Sequence, residues 1–253
     1  MTIIKAASLG AASLLAVAVF VSPALADGMQ KRGKVKAPEP EARACVVSAN
    51  VGFTTDYVFR GISQTGEEAT VQGGIDLTCG KFYLGVWGSG INFGNGTEID
   101  IYGGFKTTTG AIAWDLGFIY YAYPGAPSFL DLDYVELKIG ASAEIVKGGT
   151  VGATLFYSPE YTFATGEVLT WELSYSQVLP KVGMFTPTFS ALYGYSDFQD
   201  LGFLSYGYWN AGVSLGFMEK WSLDLRYWGS DNDGFAAGPL GDDRVVATVK
   251  FTY

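Results

Sequence analysis

Residues 245–253 set Val245, Ala247, Val249, Phe251 and Tyr253 on one parity and Val246, Thr248, Lys250 and Thr252 on the other. A period of two sends alternate side chains to opposite faces of a strand, so this segment has one apolar face and one polar face. The same alternation recurs over 47–60, 70–78, 82–89, 98–105, 111–121, 134–142, 150–158, 169–178, 186–195, 206–217, 221–228 and 244–253, which predicts about twelve strands. Most run about 8 to 12 residues, near the roughly 9 to 11 that a strongly tilted strand needs to cross a bilayer core. The longest uncharged run after the N-terminal region, 201–218, is broken by several Gly residues, Ser205 and Asn210, and reads as a loop end plus a strand.

The placement of charge tests the alternation. Val51, Phe53 and Phe59 oppose Asn50, Asp56 and Arg60; Val71, Ile75 and Leu77 oppose Gln72 and Asp76; Ile99, Ile101 and Phe105 oppose Glu98, Asp100 and Tyr102. Val135, Leu137 and Ile139 oppose Glu136 and Lys138, and Leu223, Leu225 and Tyr227 oppose Asp224 and Arg226. No charge falls on the apolar parity. A Lys or Arg there would cost about 2 to 4 kcal/mol at a bilayer midplane, so its absence is what hydrocarbon contact would enforce. The expected fold is all-β, a single antiparallel transmembrane β-barrel, because only a closed sheet satisfies every backbone polar group of strands in lipid.

Connections alternate in length and charge. Those after even-numbered segments are short and hold Lys81, Lys106, Lys147, Lys181 and Lys220, whereas those after odd-numbered segments are long and acidic, with Glu67, Glu68, Asp131, Glu160, Glu167, Asp197, Asp200, Asp231, Asp233, Asp242 and Asp243. Barrels of this kind have short periplasmic turns and longer outer loops, which puts both termini in the periplasm. Aromatic residues near segment ends, including Tyr57, Phe59, Tyr120, Tyr121, Tyr157, Tyr193, Tyr195, Tyr206 and Tyr227 at the long-loop end, read as interfacial girdles.

Residues 1–26 carry one charge, Lys5, then an Ala/Leu/Val stretch, Pro23 and Ala24-Leu25-Ala26, the pattern of a cleaved export signal. Residues 27–45 are basic and Pro-containing without apolar periodicity and read as a flexible periplasmic tail, leaving 46–253 for the barrel. Localisation to the outer membrane of a Gram-negative bacterium follows. Two cysteines in an exported chain allow one disulfide: Cys45 opens the first segment and Cys79 closes the second, on the same side of the sheet, with free thiols as the alternative. Histidine is absent, which removes His-based triads, proton relays and imidazole metal sites, and no Ser-Lys motif points to an enzyme.

The candidate site is the inner wall: Asp56, Arg60, Gln72, Asp76, Glu98, Asp100, Tyr102, Asp115, Glu136, Lys138, Glu172, Asp224 and Arg226. Residues i and i+2 on one strand face the same way, so Asp56 with Arg60, Glu136 with Lys138 and Asp224 with Arg226 read as interior ion pairs, a constriction or binding pair being the alternative for the first. Inward carboxylates outnumber inward bases, which favours cations in any open path. A twelve-strand barrel lies between the filled eight-strand and the open sixteen-strand kinds. Small inward residues such as Gly74, Gly104, Gly117, Gly152 and Gly212 are expected to leave room in it. Asp231-Asn232-Asp233-Gly234 and Asp242-Asp243 hold only a fragment of a calcium loop and read as solvated acid, so neither metal nor cofactor is expected.

The block NVGFTTDYVFRGISQT at 50–65, with VQGGI at 71–75, FYLGVWGS at 82–89 and EIDIYGG at 98–104, resembles the TorF family of porins, also called the Gcw_chp family. The likeness is strongest over 46–105. It implies a pore-forming outer-membrane protein. The partners expected of the barrel are outer-membrane lipid, lipopolysaccharide and small solutes or cations, with no nucleic acid. The expected function is passive diffusion through a narrow, mildly cation-preferring channel. A non-conducting structural or ligand- or lipid-binding barrel is the alternative.

Overall fold

A computed structural model describes residues 45–231 and 238–253. The expected export signal at 1–26, nearly all of the expected tail at 27–45, and Asn232, Asp233 and Gly234 lie outside the described residues. Fourteen strands follow in chain order: β1 Cys45–Thr54, β2 Val58–Phe59, β3 Ile62–Ser63, β4 Thr70–Cys79, β5 Phe82–Gly90, β6 Thr97–Thr109, β7 Ile112–Ala122, β8 Tyr134–Val146, β9 Gly149–Ser158, β10 Val168–Val178, β11 Thr186–Phe198, β12 Tyr206–Phe217, β13 Trp221–Ser230 and β14 Arg244–Thr252. All except β2 and β3 form one closed twelve-strand antiparallel barrel, each strand beside its sequence neighbours. Closure is made by β1, which pairs with β4 on one side and with β14 on the other, Asn50 facing Thr252 and Thr54 facing Thr248. The chain end is tied in by paired backbone bonds between Ala49 and Tyr253. A disulfide joins Cys45 to Cys79, which face each other across β1 and β4.

The alternation predicted from the sequence sets the wall. Val51, Phe53, Ile75, Leu84, Val86, Ile101, Leu137, Ile139, Leu173 and Leu225 are exposed on the outside of the isolated chain, a continuous apolar belt. The strands run longer than the periodicity indicates, yet the extension brings only one ionisable residue to the outer face, Asp197, next to the last residue of β11. At the short-turn end the outer face carries packed rings: Phe82 with Phe105 at 5.2 Å and Trp221 with Phe251 at 5.0 Å, with Lys220 4.4 Å from the Tyr253 ring.

One segment departs from expectation. The first strand ends at Thr54, not at residue 60, because the Thr54 hydroxyl bonds the Asp56 carbonyl and the chain turns inward there. The next residues form a separate hairpin, β2–β3, with Val58 facing Ser63 and Phe59 facing Ile62. Its two-residue turn has positive φ at both centres, Arg60 at 45° and Gly61 at 79°, the mirror-image turn whose twist suits a tight hairpin. Gly61 is needed for a second reason, since a Cβ there would lie 2.8 Å from the Ser230 Cβ.

The inward glycines do not widen the lumen as expected; they accommodate neighbouring side chains. A Cβ on Gly85 would fall 2.3 Å from the Tyr102 ring, one on Gly194 2.3 Å from Tyr208, and one on Gly104 or Gly117 2.6 Å from the Tyr83 hydroxyl. Likewise Trp87 lies against Gly74, Ser174 against Gly152 and Arg226 against Gly212. The wall is thin where a large side chain lies flat on it.

If the belt meets hydrocarbon, Leu225→Arg destabilises the barrel by about 2–4 kcal/mol in reversible urea unfolding from lipid vesicles. Ser174→Arg, on an accessible stretch of inner wall, costs at most about 0.5 kcal/mol. Equal costs for the two would contradict the assignment of faces.

Candidate functional site

The hairpin crosses the lumen. Its start is held beside β5 and β6, where the Tyr57 ring meets Trp87 edge-on at 5.4 Å and its hydroxyl donates to Glu98 Oε1 at 2.8 Å. Its tip reaches the opposite arc: Gly61 presses on Tyr208 of β12 and on Ser230 and Gly229 of β13. From the turn, Arg60 extends to Glu136 of β8 and donates from both terminal nitrogens, at 2.7 and 3.0 Å. The base is fixed by Asp56, which accepts from Ser63 and Thr65 at 2.7 Å each and from Arg244 of β14 at 3.1 Å. Backbone bonds from Gln64 to Tyr57 and from Asn92 to Gln64 complete the hold.

The hairpin and the wall around it are dry. From Asp56 through Thr65 every residue is buried. So are inner-face residues at the long-loop end of eleven of the twelve wall strands: Thr54 on β1, Ser89 on β5, Glu98 and Asp100 on β6, Tyr121 on β7, Glu136 on β8, Ser158 on β9, Thr170 on β10, Ser196 on β11, Tyr208 on β12, Trp228 on β13 and Val246 on β14; on β4, Thr70 and Gln72 stay half-buried. A water-filled path at this level would leave its lining accessible, so the lumen is shut here. Nearer the short turns the inner face opens, Thr78, Glu144 and Ser174 being exposed. The result is a cup, closed at the long-loop half and open at the other.

Tyrosines dominate the chemistry of the inner wall. Five inward carboxylates each accept from a phenol: Glu98 from Tyr57, Asp76 from Tyr102 at 2.5 Å, Asp115 from Tyr83 at 2.7 Å, Glu136 from Tyr121 at 3.0 Å and Glu172 from Tyr208 at 2.7 Å. A buried carboxylate without donors costs several kcal/mol, and a phenol is a donor that also fills space. Two loop tyrosines join this cluster: burial pushes Tyr161 up to about 12 and Tyr123 well above the usual phenol range, so both stay neutral.

The structure rearranges the expected ion pairs. Asp56 and Arg60 do not meet; they pair with Arg244 and Glu136, because the inward turn after Thr54 separates them. Glu136 does not pair with Lys138, which binds Asp115 of the neighbouring strand at 2.9 Å. Asp224 and Arg226 do pair, at 2.9 Å, and Arg226 also donates to Asn210 and Ser190. Gln72 donates to Ser89 at 3.3 Å, and Glu98 and Asp100 sit side by side, fully buried. Tyr57, Phe59, Tyr121 and Tyr206 lie in the interior and not in a lipid girdle, while Tyr120, Tyr193 and Tyr227 are on the outer face. Inner parity marks Tyr121 and Tyr208 in the sequence; the hairpin's own signal is Val-Phe-Arg-Gly-Ile, three apolar residues flanking a turn that ends in glycine.

Of the acidic loop groups, Asp243 accepts from Tyr227 and Asp231 from the Gly207 backbone N–H. Among the described residues no three carboxylate or thiol groups are placed to hold a metal ion.

A family model described as "Bacterial protein of unknown function (Gcw_chp)" matches residues 39–253. The chain belongs to the Gcw_chp family. No curated protein matches its sequence. Among solved structures this Gcw_chp barrel is similar to the KdgM porin, with a TM-score of 0.53 and 10% identity over 81% of this chain and 98% of that one. A second KdgM structure, "in complex with disordered oligogalacturonate", gives 0.53 and 10% over 82% and 99%. The NanC porin gives 0.50 and 8% over 82% and 98%. At these identities the likeness is one of fold, a porin-like barrel.

Breaking a buried pair strands a charge, at about 3–5 kcal/mol, whereas replacing both partners with apolar groups is often close to neutral. Glu136→Gln is therefore expected to destabilise the protein by about 3–5 kcal/mol, and Arg60→Met combined with Glu136→Leu to recover most of that, read from urea unfolding. A double variant no better than the single one contradicts the pairing.

Proposed function

We propose that this chain is a porin-like channel of a Gram-negative outer membrane, passing small solutes by passive diffusion with a mild preference for cations, as its TorF likeness and inner charge suggest. The supporting observation is a closed twelve-strand barrel with an apolar outer wall and its ionisable groups inside. On this reading the channel is narrow and rests shut, with the β2–β3 hairpin as its constriction. The oligogalacturonate held by the KdgM porin in its complex is a polyanion. Here Asp76, Glu98, Asp100, Asp115, Glu136, Glu144, Glu172 and Asp224 outnumber Lys106, Lys138, Arg226, Arg244 and Lys250 on the inner faces of the barrel strands, which favours small cations and neutral solutes.

The short lysine-bearing turns and both chain ends then face the periplasm. The acidic loops face outward, where divalent cations bridging lipopolysaccharide can meet them. The reading needs no cofactor and no nucleic acid, and it is not enzymatic.

One observation favours a second reading, a non-conducting structural or ligand- or lipid-binding barrel: the dry residues around the hairpin on eleven of the twelve wall strands. Planar-bilayer recording separates the two. Wild-type protein is expected to give rare, small steps. A variant with residues 56–65 replaced by a short Gly-Ser turn is expected to give larger, longer openings with a cation-biased reversal potential. Silence from that variant at high loading would rule out the channel.

A further inference from the structure

Arg60 is a positively charged side chain only 1% exposed, on a residue at positive φ, in a barrel whose other inward bases keep partial access to water. What surrounds it belongs almost wholly to the wall and not to the hairpin. Glu136 of β8 takes both terminal nitrogens in a fork, and Tyr121 of β7 holds that carboxylate from behind. The Phe156 ring of β9 lies 5.0 Å from the guanidinium carbon. The phenols of Tyr208 of β12 and of Tyr161, in the loop between β9 and β10, face the same group. Only the Phe59 ring, at 4.6 Å, comes with the hairpin.

A carboxylate presented as a fork, an aromatic face and neutral phenols in a dry cavity are the features that recognise a weakly hydrated, planar organic cation. We propose that the wall around Arg60 is a binding site for guanidinium-bearing solutes, and that the Arg60 side chain is its intramolecular occupant. The inference rests on the channel reading in one respect, that the hairpin can withdraw and expose the site to a solute. Withdrawal leaves Glu136 without its two strongest donors inside an aromatic enclosure. That vacancy attracts an alkylguanidinium, which is weakly hydrated and fits the carboxylate fork and the ring faces, and excludes an anion. The solute and the hairpin then compete for one carboxylate, so a bound guanidinium holds the hairpin off its seat.

The test removes the occupant and supplies the cation free. Arg60→Ala, purified as a folded barrel by its heat-modifiable electrophoretic mobility, is titrated by calorimetry with methylguanidinium chloride against equal sodium chloride. The expected result is binding at least about tenfold tighter than to wild type, and about tenfold tighter than to Arg60→Ala/Glu136→Gln, consistent with charge-assisted bonds to one carboxylate. Binding by Arg60→Ala no tighter than by wild type, or undiminished in the double variant, overturns the proposal.

Should Arg60→Ala assemble poorly, folded yield becomes the readout. Methylguanidinium during refolding is expected to raise the yield of Arg60→Ala and not of the double variant, and equal yields overturn the proposal. Calorimetry and yield need no conduction, so a barrel that binds guanidinium yet passes no current would sink the channel reading and leave the site standing.

Discussion

A sheet that presents hydrocarbon-like side chains outward has no outside donors or acceptors for its backbone, so every strand must find two neighbours. In this chain that requirement falls on β1, which pairs with β4 and β14 and so removes both edges. Closure sorts every later residue by parity alone. Odd or even position decides whether a side chain meets the apolar belt or the interior. The interior of a twelve-strand cylinder is too wide to be filled by its own wall and narrow enough to be filled by one added segment.

That added segment solves a problem the wall creates. Parity sends Glu98, Asp100, Glu136 and Glu172 inward, where burial without donors is costly. Tyrosines on neighbouring strands and in the hairpin supply the donors, and glycines on the wall make space for several of those rings. The hairpin contributes the remaining cation, Arg60, at the expense of a residue forced to positive φ, a strain of about 1 to 3 kcal/mol that the surrounding contacts must exceed. The same inventory that closes the lumen is also a recognition surface: carboxylates, phenols and ring faces, neutralised by a group on a loop.

Much of this was legible in the sequence, for definite reasons. Lipid-facing parity is a constraint on each residue, so all twelve barrel strands could be located from alternation, whereas the girdle reading failed at Tyr57, Phe59, Tyr121 and Tyr206, which lie inside. Boundaries were short by a few residues at β6, where Lys106 and three Thr continue the sheet without an apolar face to advertise it, and at β8 and β11, where Glu144 and Asp197 stand among the added residues and read as loop. The hairpin was not legible in the same way. Asp56 to Arg60 continues the alternation of β1 by chance of spacing, and only Arg60-Gly61 between Phe59 and Ile62 marks a turn. Cross-strand partners were beyond reach for a different reason: Lys138 chooses Asp115 over Glu136 through register, a property of two strands together.

The central claim is that the hairpin shuts the long-loop half of the lumen and leaves the other half wet. Thr170 and Ser174 lie on the same face of β10, one buried and one exposed. Thr170→Cys and Ser174→Cys, each in the otherwise disulfide-bonded protein, can be compared by their rate of reaction with a small charged methanethiosulfonate. The account predicts rapid labelling of Ser174→Cys and near-complete protection of Thr170→Cys until the protein is unfolded. Equal rapid labelling of both in the folded barrel would contradict it.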